Sequence, residues 1–217
     1  MVSAVCVSQD KEVVVEIKTM NKIKNICVFC SASDFLEKRY YEDAKELGGL
    51  IGKSGYNIVY GGSTLGMMWA CASEVKANGG KIFGVMPRKL VEMGCRTDNC
   101  DEFYMAEGMR DRKSKMDEIS DAVVVMAGGF GTLEEFAEMF VQKQLGYNKK
   151  PIVVLNTNGF YDKLLEFFNQ IVDGKFANEY TRKNIIYIAS TPKEVIDYIK
   201  NYVEPDKVPS KHDIYAR

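Results

Sequence analysis

Histidine is almost absent. The 217 residues contain one, His212, in a polar C-terminal stretch. Ser-His-Asp and Cys-His catalysis therefore have no base to draw on, and zinc sites of the usual His-containing kind lack a ligand. Acid–base chemistry falls to carboxylates, Tyr, Lys or Arg. An excess of charge of one sign is missing too: 29 basic residues stand against 30 acidic ones, a net charge of −1. That balance gives no general case for a nucleic-acid or anionic-membrane partner. No apolar run reaches the ~18 residues a membrane span needs. The N-terminal MVSAVCVSQDKEVVVEIK has no basic start followed by an apolar core, so no secretion signal is expected. The six cysteines, Cys6, Cys27, Cys30, Cys71, Cys95 and Cys100, have no histidine partners and read as free thiols of a reducing, cytoplasmic setting. Cys27-x-x-Cys30 lies in NICVFC, which reads as a strand. The odd spacing puts the two thiols on opposite faces, against a redox or metal pair.

What is present centres on residues 121–135, DAVVVMAGGFGTLEE. A short apolar run rich in valine, bounded by glycines, reads as a strand buried on both faces. Gly128, Gly129 and Gly131 follow around Phe130, and then an amphipathic run begins at Leu133. Strand, glycine loop and helix N-terminus together make a phosphate-type site, because backbone N–H groups can approach an anion without Cβ atoms in the way. Thr132-x-x-Glu135 also reads as a capping box, which needs no ligand. The spacing matches neither the P-loop nor a clean G-x-G-x-x-G.

Other strands are expected at residues 25–30, 57–60, 81–86, 102–105, 151–155 and 185–188, with a loose one at 12–17. Helices are expected at 40–51, 65–77, 110–120, 160–172 and 192–203, and a loop or short turns over 88–100. Alternation of this kind predicts an α/β protein: a three-layer Rossmann-like fold, a parallel sheet with helices on both faces. The expected division is an N-terminal extension (1–22), one Rossmann-like domain (23–203) and a C-terminal tail (204–217). Three permissive turns, at Ser31–Ser33, Gly61–Thr64 and Gly128–Thr132, end strands and can converge on one rim. The stretch LGMMWACA (65–72) is apolar nearly all round, which points to a second burial against another copy, a homodimer.

Tyr60-Gly61-Gly62, Gly66-Met67-Met68, Met109-x-x-Arg112-Lys113 and Gly128-Gly129-Phe130-Gly131-Thr132-x-x-Glu135, in this order and spacing, resemble the LONELY GUY family. Its members are cytokinin riboside 5′-monophosphate phosphoribohydrolases, and many relatives carry the label lysine decarboxylase. The resemblance implies hydrolysis of the N-glycosidic bond of an adenosine 5′-monophosphate, often N6-modified, with no metal and no organic cofactor. It implies Arg112 and Glu135 as the catalytic pair. Lys113, Gly128, Gly129, Phe130, Gly131, Thr132, Glu134, Gly61, Gly62 and Ser31 become the substrate-binding residues. The sequence departs from the family pattern at Ala127, Ser63, Trp69, Arg110 and Val141, and Glu92 is the nearest match to a glutamate expected after the third strand. A non-hydrolytic nucleotide sensor or carrier of the same fold is the competing reading. Lysine decarboxylation normally uses pyridoxal phosphate on a lysine, and no lysine here has an obvious partner set for it.

Overall fold

Short apolar runs that satisfy their backbone groups sideways form a sheet, and runs apolar on both faces form its middle. The computed structural model describes residues 23–205. Seven strands, β1 (Asn25–Phe29), β2 (Asn57–Tyr60), β3 (Ile82–Pro87), β4 (Glu102–Ala106), β5 (Ala122–Val125), β6 (Ile152–Leu155) and β7 (Tyr187–Ala189), make one parallel sheet in the order β4-β3-β2-β1-β5-β6-β7. β1 and β5 are neighbours, with Ile26 opposite Ala122 and Phe29 opposite Val125. The chain winds outward from β1 in one direction and then returns to build in the other. Sheets of this kind bind ligands at the crevice where the winding reverses, beyond the carboxyl ends of those two strands.

Helices cover both faces, as the alternation predicts. Side chains from α1 (Lys38–Lys53), α2 (Gly66–Ala77) and α8 (Pro192–Lys200) join Ile26, Val28 and Val124 in one core. Side chains from α4 (Met109–Glu118), α5 (Phe130–Gln144) and α6 (Asp162–Asp173) join Cys27, Phe29, Val123 and Val125 in the other. Cys27 and Cys30 lie in different cores, so the thiols do face apart, and burial pushes both thiols well up from their ordinary value. The described cysteines, Cys27, Cys30, Cys71, Cys95 and Cys100, are free. No described helix is long and apolar enough to cross a membrane.

Two expectations need correction. The stretch 88–100 contains a short helix, α3 (Arg88–Glu92), none of whose residues is buried; it has no apolar period for a sequence reading to detect. The strand expected at 185–188 begins at Tyr187, because a helix, α7 (Glu179–Asn184), runs up to Ile185, opened by Asn178 accepting from the Thr181 N–H. Helix α2 does not need a partner for its composition: Met67, Ala70, Cys71, Ala72 and Val75 are buried within the chain, and Met68 and Trp69 pack against the same core. The strand expected at 12–17 and His212 lie outside the described residues.

The burial of α2 depends on how closely α1 approaches it. Glycine inside a helix costs about 1 kcal/mol against alanine, yet α1 carries Gly48, Gly49 and Gly52. A Cβ at Gly48 would lie 2.1 Å from the Cys71 carbonyl oxygen, and one at Gly52 would lie 2.6 Å from that of Val75. At Gly49 the nearest atom would be 3.7 Å away. Gly48→Ala is therefore expected to destabilise the fold by about 1–3 kcal/mol, as overpacking does. Gly49→Ala should be neutral or stabilising by up to about 1 kcal/mol. Urea denaturation of the two variants beside the parent measures both.

Candidate active site

The three turns do converge. The Ser31 N–H donates to the Ala127 carbonyl at 3.2 Å, joining the end of β1 to the end of β5. The Met68 N–H donates to the Ser31 carbonyl at 3.3 Å, and the Gly66 N–H to Asp34 Oδ1 at 2.8 Å, joining the same turn to the start of α2. Gly66 has φ +58, and a Cβ there would run into Ala32 and Ser33, so only glycine fits this crossing. Tyr161 Oη donates to the Met126 carbonyl at 2.9 Å and fixes the exit of β5 from below.

At the centre lies an ion pair. Arg112 on α4 and Glu135 on α5 are both buried, and Arg112 Nη1 donates to Glu135 Oε1. Arg112 Nε donates to the Val85 carbonyl at 3.1 Å. A Cβ at Gly61 would lie 3.0 Å from Arg112 Nη2, so the missing side chain at the end of β2 is what lets the guanidinium lie there. Burial pushes the Glu135 carboxyl above the ordinary carboxylate range, and the Arg112 charge pulls it partly back. Removing one partner of such a pair leaves a buried charge uncompensated, at a cost of about 3–5 kcal/mol.

Beside this pair, the Lys113 ammonium is held between Glu134 and Glu138, one helical turn apart on α5. Gln142, one turn further, donates to Glu138 at 3.3 Å. Glu138 was missed by sequence reasoning; its i+4 spacing from Glu134 was the available signal. Helix α5 begins at Phe130 with Gly129 as its N-cap and no side-chain cap. The capping-box expectation therefore fails: Thr132 and Glu135 already lie inside the helix, and Gly129, in an extended backbone with φ −86 and ψ −161, starts it earlier. Helices α2 and α4 also start without a side-chain cap, whereas Asn178 and Thr191 cap α7 and α8. The first N–H groups of α5 have no intrahelical acceptor; its first bond runs from Leu133 to Gly129.

The loop glycines differ in their reasons. A Cβ at Gly128 would lie 2.2 Å from Thr132 Oγ1, so Gly128 seats the buried Thr132. Gly129 and Gly131 have nothing of the protein within 4 Å of a Cβ, and neither has positive φ. Phe130 between them is 91% exposed. Gly62, with φ +75, is buried against β3 and Phe103. Of the departures, Ala127 is buried, and Ser63 Oγ accepts from the Leu65 N–H at 3.2 Å and so stabilises its own turn. Glu92 and Arg110 are exposed on their helices. Among the described residues no group of three or more His, Cys, Asp or Glu is arranged to hold a metal ion.

Fold and site define a Rossmann-like α/β protein with a buried Arg–Glu pair beside an uncapped glycine loop. A family model described as "Possible lysine decarboxylase" matches residues 68–199. The chain is 34% identical over 183 residues to the rice (Oryza sativa subsp. japonica) cytokinin riboside 5′-monophosphate phosphoribohydrolase LOG, covering 84% of this chain and 75% of the relative. It is 35% identical over 192 residues to LOG1 of Arabidopsis thaliana, covering 88% and 90%. Among solved structures, the molybdenum cofactor binding protein of Rippkaea orientalis superposes with a TM-score of 0.63 at 25% identity, over 82% of this chain and 96% of that one. The Moco carrier protein of Chlamydomonas reinhardtii shares the fold with a TM-score of 0.62 at 24% identity, over 82% and 96%. The chain belongs to the LONELY GUY family.

The electrostatics of the pair predict a titration. The Glu135 carboxyl should titrate above 4.5 in the folded protein, and Arg112→Met should move it further up, because burial then acts unopposed. Carboxyl-carbon NMR across pH reads both; a Glu135 that titrates below 4.5 would contradict the burial argument.

Proposed function

We propose that the chain hydrolyses the N-glycosidic bond of adenosine 5′-monophosphates, including N6-modified ones such as cytokinin ribotides, releasing the free base and ribose 5-phosphate. The observation that carries this reading is the buried Arg112–Glu135 pair set beside an open, uncapped helix N-terminus. Gly129 and Gly131 have no internal need to be glycine, and space over bare backbone at a helix start suits a phosphate. Lys113 is taken up by Glu134 and Glu138, so the backbone N–H groups of the helix start are the anion-binding element here.

The chemistry then follows from placement. The bond between C1′ and the base nitrogen breaks, water adds to C1′, and the base leaves with a proton. Cleavage passes through an oxocarbenium-like sugar, as in glycoside hydrolysis. The Glu135 carboxylate, in a site screened from bulk water, stabilises that positive charge and orients the water. Arg112 cannot serve as a base; its part is to keep Glu135 ionised and aimed. The reading needs no metal and no cofactor, and it treats residues 23–203 as one catalytic domain. Phe130, Leu133, Val141 and Leu145 form an exposed apolar stripe down α5, the face through which a homodimer would form. The carrier reading is favoured by the structural likeness to a Moco carrier protein; binding of nucleotide without cleavage is its signature.

With AMP and isopentenyladenosine 5′-monophosphate as substrates, Glu135→Gln is expected to lower kcat by about 10²–10³-fold, the range for losing one transition-state stabiliser. Gly131→Ala should raise KM at an unchanged melting temperature, since its methyl group meets nothing of the protein itself. Steady-state kinetics on both substrates separate these effects, and equal rates in the parent and Glu135→Gln would overturn the assignment. Val141→Glu should shift the chain from dimer to monomer in light scattering; a monomeric parent would remove the dimer from the account.

A further inference from the structure

Helices α4 and α5 rest on different strands, α4 on β3 and β4 and α5 on β1. Beside the Arg112–Glu135 pair, a second ionic contact joins them, one residue away on each helix. Lys113 on α4 donates to Glu134 Oε1 and to Glu138 Oε2 on α5. Gln142 Nε2 donates to Glu138 Oε1 at 3.3 Å, so both oxygens of that carboxylate are engaged. The Lys113 side chain is 10% exposed, against 54% for Glu134 and 36% for Glu138. Burial works against the ammonium, and the two carboxylates more than offset it, so Lys113 titrates above its ordinary range and stays charged.

The balance of charge decides what this contact can do. One ammonium set against two carboxylates leaves a net negative group, which repels a phosphate. Lys113 is therefore a fastening and not an anion site. Geometry says what it fastens. Successive residues of a helix lie about 100° apart around its axis. Arg112 and Lys113 thus leave α4 in different directions, and Glu135 and Glu134 leave α5 in different directions. One ion pair alone lets either helix roll about its own axis, whereas two pairs set apart in this way resist the roll. Glu138 lies one turn from Glu134 on the same side of α5 and holds the Lys113 end of the second pair.

We propose that Glu138 is a positioning residue of the active site: through Lys113 it fixes the roll of α5 against α4 and so aims the Glu135 carboxylate. This inference rests on the hydrolysis proposed above, and the part Glu138 takes in it is indirect. The charged groups that act on Glu135 are Arg112 and Lys113 from α4 and Glu134 on its own helix. Cys27 on β1 and Cys30 just beyond it are thiols that burial keeps protonated. After burial and Arg112, Glu134 raises the Glu135 carboxyl and Lys113 lowers it. Removing the Lys113 charge therefore leaves the Glu134 charge unopposed, as well as freeing the helix.

Steady-state kinetics of the full chain on AMP across pH test this, using the parent, Glu138→Gln, Lys113→Met, their double variant and Lys113→Arg. Glu118→Gln is the control, since Glu118 pairs with Lys115 in an exposed contact within α4. Glu138→Gln and Lys113→Met are each expected to lower kcat about tenfold, as a small misplacement does, with KM little changed. The double variant should lose no more than the worse single one, because both changes break one contact. Lys113→Arg keeps the charge and should recover most of kcat, and Glu118→Gln should match the parent. Lys113→Met should also move the acid limb of kcat to higher pH, since the ionised Glu135 is the active form. A lowered melting temperature with kcat and acid limb unchanged would mark a merely structural contact and overturn the proposal. So would a raised KM at unchanged kcat in Lys113→Met, the sign of a phosphate ligand, or losses that multiply in the double variant. If the parent releases no base, the proposed reaction fails, and carboxyl-carbon NMR still reads this inference. The Glu135 titration must then change in Glu138→Gln and Lys113→Met but not in Glu118→Gln, and an unmoved Glu135 would overturn it.

Discussion

The constraint on which the site depends is the cost of burying charge. Arg112 and Glu135 come from different helices, and neither would be stable in its place alone. Their pairing fixes α4 against α5, and much around them follows from it. Gly61 lacks a side chain where Arg112 needs room, and Val85 leaves its carbonyl for Arg112 Nε. Lys113 extends the same contact with two carboxylates further along α5. Burial that raises the Glu135 carboxyl and a guanidinium that draws it back are opposed effects on one group. This opposition is what gives a carboxylate both a dry setting and its charge.

Topology then decides where the pair sits. β1 and β5 lie side by side because the winding reverses between them, and their carboxyl ends deliver Ser31 and the glycine loop to one rim. The two backbone bonds made by Ser31, one from its N–H and one to its carbonyl, close that rim. The rest of the sheet is support: β2 brings Gly61 and β3 brings Val85, each by its parallel register with its neighbour.

Much of this was legible in the sequence, for physical reasons. Short valine-rich runs between glycines can hardly be anything but central parallel strands, and all seven expected strands within the described residues exist. The convergence of three turns was readable because sheets of this class bring carboxyl ends together. What escaped the sequence had no local signal. No residue of α3 is buried, and α7 displaced the start of the last strand. The capping box looked sound as a pattern, but an extended glycine started the helix three residues sooner. Arg112 and Lys113 would have passed for a solvated helix face had the motif around them not suggested otherwise; packing against α5 buries Arg112 and half-buries Lys113. The apolar composition of α2 suggested a second subunit; within the chain, close packing on α1 through Gly48 and Gly52 already buries Met67, Ala70, Cys71, Ala72 and Val75.

The central claim is that this site breaks the bond between base and sugar and no other bond. Mass spectrometry of the products formed by the purified chain from AMP tests it most directly. The account predicts free adenine and ribose 5-phosphate in equal amounts. Adenosine with inorganic phosphate, or AMP bound and recovered intact, would contradict it.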